Sequence, residues 1–375
     1  MQCKFLKHGM AISYDHVVKP CCEWKQDSNY TTLNHVSQVD LSTWHQSTKI
    51  FQQQLANNQW PTACNQCQSR EQQGRKDSMR LGGNQAYSHY QENDITLEIR
   101  PGNVCNLSCQ TCWPEASSRV SQHHAQAGLI DIKSVNSTQI DNFEFLLPIA
   151  SRIQDVVLLG GEPFYDPNCK KFLAWAHSNL HSNITMFTNG SAVDWDWVDQ
   201  YPGTITMVFS IDAVGKAAEY IRFGTDWDIV LENFTRAQTT SKINLRVNVT
   251  TSVYNYFYID SVIELLCKQW PGVVTFGQAR KSHFQESVIP TYYRGILIDK
   301  LEQSCKLITS TPIESGQQHN AINALQSIIG NLQTSAWDQE NHTVLKDYVT
   351  KMDLVKHVNL RDHCEFLSDV LDFSA

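Results

Sequence analysis

From Asp94 to Gly277 the sequence repeats one unit, a short run rich in β-branched and aromatic residues followed by an amphipathic stretch. Repetition of that unit is the signature of βα pairs around a parallel sheet, because parallel neighbours need a crossover and the crossover is usually a helix. The periodicity predicts strands at Ile95 to Arg100, Asp155 to Leu159, Ile184 to Thr188, Thr204 to Ile211, Asn244 to Thr250 and Val273 to Gly277. Helices are predicted at Pro114 to Ala127, Ser137 to Ser151, Pro167 to Leu180, Trp227 to Thr240 and Tyr256 to Gln269, several of them ended by Gly or Pro. The expected class is α/β, and six strands suit a partial (β/α)6 barrel of the TIM type. Past Gly295 strand patterns stop and helical patterns run to Leu371, which predicts a C-terminal helical extension. Ahead of Asp94 the chain is rich in Gln, Asn, Ser, His and Cys, with sustained periodicity only over Leu41 to Trp60. Three segments are therefore expected: 1–92, Cys-rich; 93–285, the barrel; and 286–375, the helical extension.

Cysteine usage then decides the chemistry. A chain of 375 residues can bury enough apolar surface to be stable without disulfide staples, yet it carries twelve cysteines. No leader-like apolar core follows Met1, and no apolar run approaches the roughly 20 residues that span a bilayer, so a cytoplasmic protein is expected. Thiols stay reduced there, and clustered ones more often ligate metal than pair. Cys105, Cys109 and Cys112 follow the first predicted strand, on the loop that leaves its C-terminal end, where barrels place their chemistry. Three thiolates at this spacing can hold three irons of a [4Fe-4S] cluster and leave the fourth open to an exogenous group. A zinc site short of one ligand, or a group of buried apolar thiols, is the plainer reading of the same residues.

With these cysteines in that place, the chain resembles the radical S-adenosylmethionine superfamily. The resemblance extends to Gly160-Gly161-Glu162-Pro163 after the second strand, similar to the family motif that meets the methionine amino group. It also covers Asn189 within Thr188-Asn-Gly190, Ser210 and Asp212 at the end of the fourth strand, Arg222 in Glu219-Tyr-Ile-Arg222, and Asn248 on the fifth strand. By resemblance, Ser210 and Asp212 lie toward the cofactor ribose and Arg222 toward the methionine carboxylate or the ribose. An arginine fork suits a carboxylate. Thr111 stands where the family often has an aromatic residue against the adenine, and Trp113 follows the third cysteine. The implied reaction is reductive cleavage of S-adenosylmethionine to a 5'-deoxyadenosyl radical, which takes a hydrogen from a substrate. A reductant such as flavodoxin or ferredoxin is the implied partner.

The N-terminal cysteines form a second set: Cys3, the adjacent Cys21 and Cys22, and Cys64 with Cys67 in a C-x2-C pair. Four thiolates make a closed site for zinc or for an iron-sulfur cluster, and the residues do not choose between them. Five candidates for four places leave Cys21 and Cys22 as alternatives. The segment resembles the twitch or SPASM-type modules that carry an auxiliary [4Fe-4S] cluster, here ahead of the barrel, and such modules often accompany modification of a peptide or protein side chain. Nucleotide- or sugar-type substrates and a non-catalytic electron-transfer protein are the alternatives. Cys169, Cys267, Cys305 and Cys364 are isolated in sequence; Cys169 and Cys267 are expected as core thiols on helices, and Cys364 as structural unless the last helices return it to the site. A net charge of -8 gives no sign of a general nucleic-acid surface, and no membrane partner is expected.

Overall fold

The computed structural model describes residues 1–13, 15–25, 35–36, 40–76, 78–135 and 139–372. Its strands are β1 Gly9–Ile12, β2 Val18–Lys19, β3 Ile95–Ile99, β4 Ser108–Cys109, β5 Ile153–Leu158, β6 Asn183–Thr188, β7 Ile205–Ser210, β8 Arg222–Phe223, β9 Ile243–Thr251 and β10 Val273–Gln278. The chain divides into two compact units, the first Met1–Asn103, Asn136–Met186 and Trp195–Ile205, the second Val104–Val135, Phe187–Asp194 and Thr206–Ala375.

In the first unit the strand order is β6-β5-β3-β1-β2. Parallel pairing joins β6 to β5, β5 to β3 and β3 to β1, and only β1 and β2 run antiparallel. Ile95, Leu97 and Ile99 on one face of β3 are fully buried, and Thr96 on the other face is 3% exposed, as expected of a strand covered on both faces. The helix Pro167–Asn179 starts where Asp166 accepts the Asn168 and Cys169 amides at 2.8 and 3.3 Å, with Pro167 in the first turn, where its missing N–H costs nothing. In the second unit β10, β9 and β7 lie in that order, β9 and β10 in parallel register from Val273↔Arg246 to Gln278↔Thr251. Leu245, Val247, Val249 and Thr251 bury alternate positions of β9. The two units hold eight such strands, mostly parallel and interleaved with helices, a mixed α/β arrangement.

All six strands expected between Asp94 and Gly277 form, with ends within two residues of expectation. Two differences have physical causes. First, β1 and β2 add strands from the Cys-rich segment; four and two residues are too short to show a period. Second, the helix expected over Ser137 to Ser151 is a 3-10 stretch at Glu144–Arg152, since Pro148 inside it removes a backbone donor. Residues 137 and 138 of that expectation lie outside the described residues.

The helical extension takes the form Thr291–Ser310, Ser315–Thr334 and Gln339–Lys356, followed by Leu360–His363 and Glu365–Asp372. Leu297, Leu301, Leu325, Leu345 and Met352 pack into one apolar core with Ile259 and Ile263. Cys364 is fully buried in that core, its thiol against Tyr258, and Cys267 and Cys305 pack at its edge. Among the described residues no helix is long and apolar enough to cross a membrane.

Candidate metal centres

The loop that carries Cys105, Cys109 and Cys112 is held by a two-residue ribbon. Its strand β4 pairs antiparallel with β8, setting Ser108 opposite Phe223 and Cys109 opposite Arg222. All three cysteines are half-buried. Burial pushes the Cys112 thiol up to about 12, and the neighbouring Cys109 and Cys105 add repulsion to its charged form. Burial also raises Cys109, against the pull of Arg222. The Leu107 amide donates to Cys105 Sγ at 3.4 Å, the kind of contact that stabilises a thiolate.

Arg222 is the charge nearest this loop on β8. Its Nη1 donates to Asp212 Oδ2 at 2.7 Å, and Asp212 Oδ1 accepts the Thr250 amide at 2.7 Å. Burial works against the guanidinium, yet Cys109 and Asp212 hold its pKa above the usual arginine range. Nε of Arg222 is buried with no protein partner. Asp212, which the resemblance places toward the ribose, and Arg222, which it places toward the methionine carboxylate or the ribose, are thus joined to each other.

Asn189 reaches the cysteine loop through Asn106, donating from Nδ2 to Asn106 Oδ1 at 2.9 Å, while Asn106 donates to Ser191 Oγ at 2.8 Å. Gly190 follows at φ +77°, and a Cβ there would stand 2.7 Å from Phe209 Cε1, which explains glycine at this turn. Ser210 closes β7 half-buried. Asn248 accepts a hydrogen bond from Thr275 Oγ1 at 3.1 Å, and its carbonyl takes the Ile211 amide at 3.1 Å. Trp113 is 42% exposed, with the Arg280 guanidinium 5.6 Å from its ring centroid.

The spacing of the cysteines gives no hint of four further neighbours. Lys356 donates to the Ser108 carbonyl at 2.8 Å, Arg119 donates to the Asn106 carbonyl, His123 Nδ1 meets Ser108 Oγ at 3.0 Å, and Tyr348 donates to the Gln110 carbonyl at 3.1 Å. Only the helical period shared by Tyr348, Met352 and Lys356 would have put the two on one face.

In the first unit, Gly160-Gly161-Glu162-Pro163 forms the turn between β5 and the helix Pro167–Asn179. A Cβ on Gly160 would stand 2.9 Å from Cys169 Sγ and 3.1 Å from the Gly102 carbonyl, so the turn lies against both. Glu162 is 1% exposed, and its carbonyl accepts the Tyr165 and Asp166 amides at 3.0 and 2.8 Å. Cys169 is therefore a core thiol beneath this turn.

The N-terminal cysteines separate cleanly. Cys3, Cys21, Cys64 and Cys67 line one cavity with Trp24 and Trp60, whereas Cys22 turns its thiol to Glu98. Cys3 precedes the helix Lys4–His8, and Cys64 and Cys67 open the helix Asn65–Gln72. Burial raises all four cavity thiols, Cys64 to about 12, with repulsion from its neighbours Cys3 and Cys67. Leu6, Trp24, Phe51, Leu55 and Ala63 form an apolar core around them, so the segment has more packing than its composition suggests. Among the described residues no group of three His, Cys, Asp or Glu stands at the spacing of a single bound metal ion.

No protein-family model matches the chain, and no curated protein sequence matches it. Among solved structures, it is similar to anSMEcpe with bound AdoMet and Kp18Cys peptide, at 17% identity over 59% of this chain and 62% of that chain, TM-score 0.39. It is similar to Streptococcus suis SuiB bound to S-adenosylmethionine at 14% identity over 62% and 51%, TM-score 0.39. TYW1 with a lysine-pyruvate adduct bound follows at 15% over 60% and 77%, TM-score 0.35. The chain thus covers 62% and 51% of the lengths of the first two.

Proposed function

We propose that this chain is a radical S-adenosylmethionine enzyme with a partial-barrel catalytic segment, and that its substrate is a peptide or protein side chain. The observation that carries the reading is one loop on which Cys105 and Cys109 both act electrostatically on the Cys112 thiol, with Cys109 set by the β4–β8 ribbon opposite a buried arginine whose Nε has no protein partner. Three thiolates with one guanidinium beside them suit a cubane with an open iron. When bound, the reduced cluster would supply one electron to the sulfonium of S-adenosylmethionine, whose S–C5' bond would break to give methionine and a 5'-deoxyadenosyl radical able to take a hydrogen from the substrate. The chain's own part is to hold and to orient. Cys105, Cys109 and Cys112 ligate three irons. Arg222, fixed by Asp212, offers Nε to a cofactor oxygen, and Ser210, Asn189 and Asn248 supply polar contacts. Gly160, Gly161, Glu162 and Pro163 take the methionine amino group by the resemblance stated above.

Cys3, Cys21, Cys64 and Cys67 would hold a second [4Fe-4S] cluster. Four thiols around one cavity support this, and full thiolate ligation favours electron transfer over substrate binding. In this reading residues 1–92 serve the auxiliary cluster, 93–285 the cofactor and 286–375 cover the site; flavodoxin or ferredoxin supplies electrons in the cytoplasm. The test is anaerobic reconstitution of the full chain with iron and sulfide, then S-adenosylmethionine and dithionite. Release of 5'-deoxyadenosine is the expected result. A colourless protein with stoichiometric zinc, or a fully loaded one that releases none, overturns the reading.

A further inference from the structure

The helix Gln339–Lys356 meets the cysteine loop at two points on one face. Tyr348 donates to the Gln110 carbonyl at 3.1 Å, also meeting His124 Nε2 at 3.0 Å, and two turns later Lys356 donates to the Ser108 carbonyl at 2.8 Å. The two carbonyls flank Cys109. Lys356 is 5% exposed, its ammonium 5.3 Å from the Phe223 ring centroid, and Phe223 is the ribbon partner of Ser108. His357 takes a left-handed conformation, φ +54°, and ends the helix at this lysine. A cation in the last turn also suits the negative end of the helix dipole. Burial pulls the Lys356 ammonium down to about 7 while the neighbouring Cys109 and Asp353 favour its charged form, and long charged side chains are rarely buried without an anion to answer them. The acidic neighbour, Asp353, is already bound by Tyr220 Oη at 2.7 Å and the Leu360 amide at 2.8 Å.

We infer that Lys356 is a positioning residue that places a buried positive charge beside the ligand Cys109, fixing the loop and raising the reduction potential of the cluster it holds. The inference rests on the cluster assignment above. A cluster with three thiolates is more negative than the empty loop, and reduction adds one more negative charge. A cation in a low-dielectric pocket beside it favours the reduced form. Arg119 and Arg222 contribute in the same sense from the loop's other sides, but each has a local oxygen partner, whereas Lys356 comes from 248 residues away in sequence through one carbonyl. The helical extension thereby acts on the electron that starts the reaction.

The test uses the reconstituted full chain, with the open-iron cluster identified as the one whose EPR signal changes on adding S-adenosylmethionine, and its midpoint potential read by redox titration. Lys356→Met keeps the stem and removes the charge; Lys356→Arg restores a charge. The expected result is a lower midpoint potential in Lys356→Met at unchanged iron content, returned toward wild type in Lys356→Arg. If Lys356→Met fails to load the cluster, Lys356→Arg decides: loading with a wild-type potential supports the role of charge, and failure of both overturns it. A loaded Lys356→Met at the wild-type potential overturns this inference alone. A wild-type chain that takes up no iron at Cys105, Cys109 and Cys112 overturns the function proposed above and this inference with it.

Discussion

The two cysteine sites are built from the same thiol chemistry and differ in almost everything around it. Cys3, Cys21, Cys64 and Cys67 line an apolar cavity walled by Trp24 and Trp60, with Arg80 as the cation on its lining. Cys105, Cys109 and Cys112 sit on a loop held by the β4–β8 ribbon, where Arg119 and Lys356 donate to the loop's own carbonyls and Arg222 lies opposite Cys109. Four thiols in an apolar wall can close a site. Three thiols among cations leave room for an anionic ligand as well. The contrast teaches that the number of thiols and the polarity of their surroundings change together.

The strongest way to break this comparison is to remove one ligand from each site. Cys105→Ala, Cys109→Ala or Cys112→Ala should reduce 5'-deoxyadenosine release to background, while Cys64→Ala should retain some release uncoupled from substrate turnover and lose about half of roughly eight irons per chain. Equal loss in all four, by product chromatography and iron assay, would mean that the sites are not independent. The adjacent pair sharpens the closed site: Cys21→Ala should lose about half of the iron, and Cys22→Ala, whose thiol faces Glu98, should lose none. Iron loss in Cys22→Ala would move the ligand assignment.

A smaller effect is expected at the open site. Removing Arg222 alone would leave Asp212 buried without its partner, so the useful variant is Arg222→Met with Asp212→Asn. S-adenosylmethionine should bind about 10- to 100-fold more weakly, the range for a lost charged hydrogen bond of about 1.5–3 kcal/mol. Unchanged affinity by equilibrium dialysis would remove Arg222 from the site. The smallest effect is on acid stability. Burial lowers His124 to about 4, near Lys281 and Lys356, so the unfolded chain binds its proton more readily. Its contribution is complete above about pH 6.5 and shrinks as pH falls toward 4, by on the order of 2 kcal/mol. His124→Gln should flatten the fall of melting temperature over that window, and an unchanged slope would count against a buried neutral histidine beneath the loop.

Six strands were legible because each carries a run of apolar residues bounded by turn signals, and the grouping of Cys105, Cys109 and Cys112 on one loop because they lie within eight residues of each other. Lys356 and Tyr348 were not legible, since their partners lie 248 and 238 residues away and a helix face shows only that both point the same way. Cys21 and Cys22 share every sequence property, and only the Glu98 side chain on β3 tells them apart. The short β1 lacked a period, and its buried Gly9–Ile12 run follows a five-residue helix with no linker.

That short strand bears on how the protein must be made. With β1 paired to β3 and β2 to β1, the peptide between Cys3 and Cys21 is also what covers the open side of β3. On the proposed assignment of Cys3 and Cys21, a chain made without iron would hold this peptide less firmly and expose a row of amides and carbonyls on β3, a template for strand-to-strand aggregation. Iron supply during synthesis should therefore govern soluble yield as well as colour.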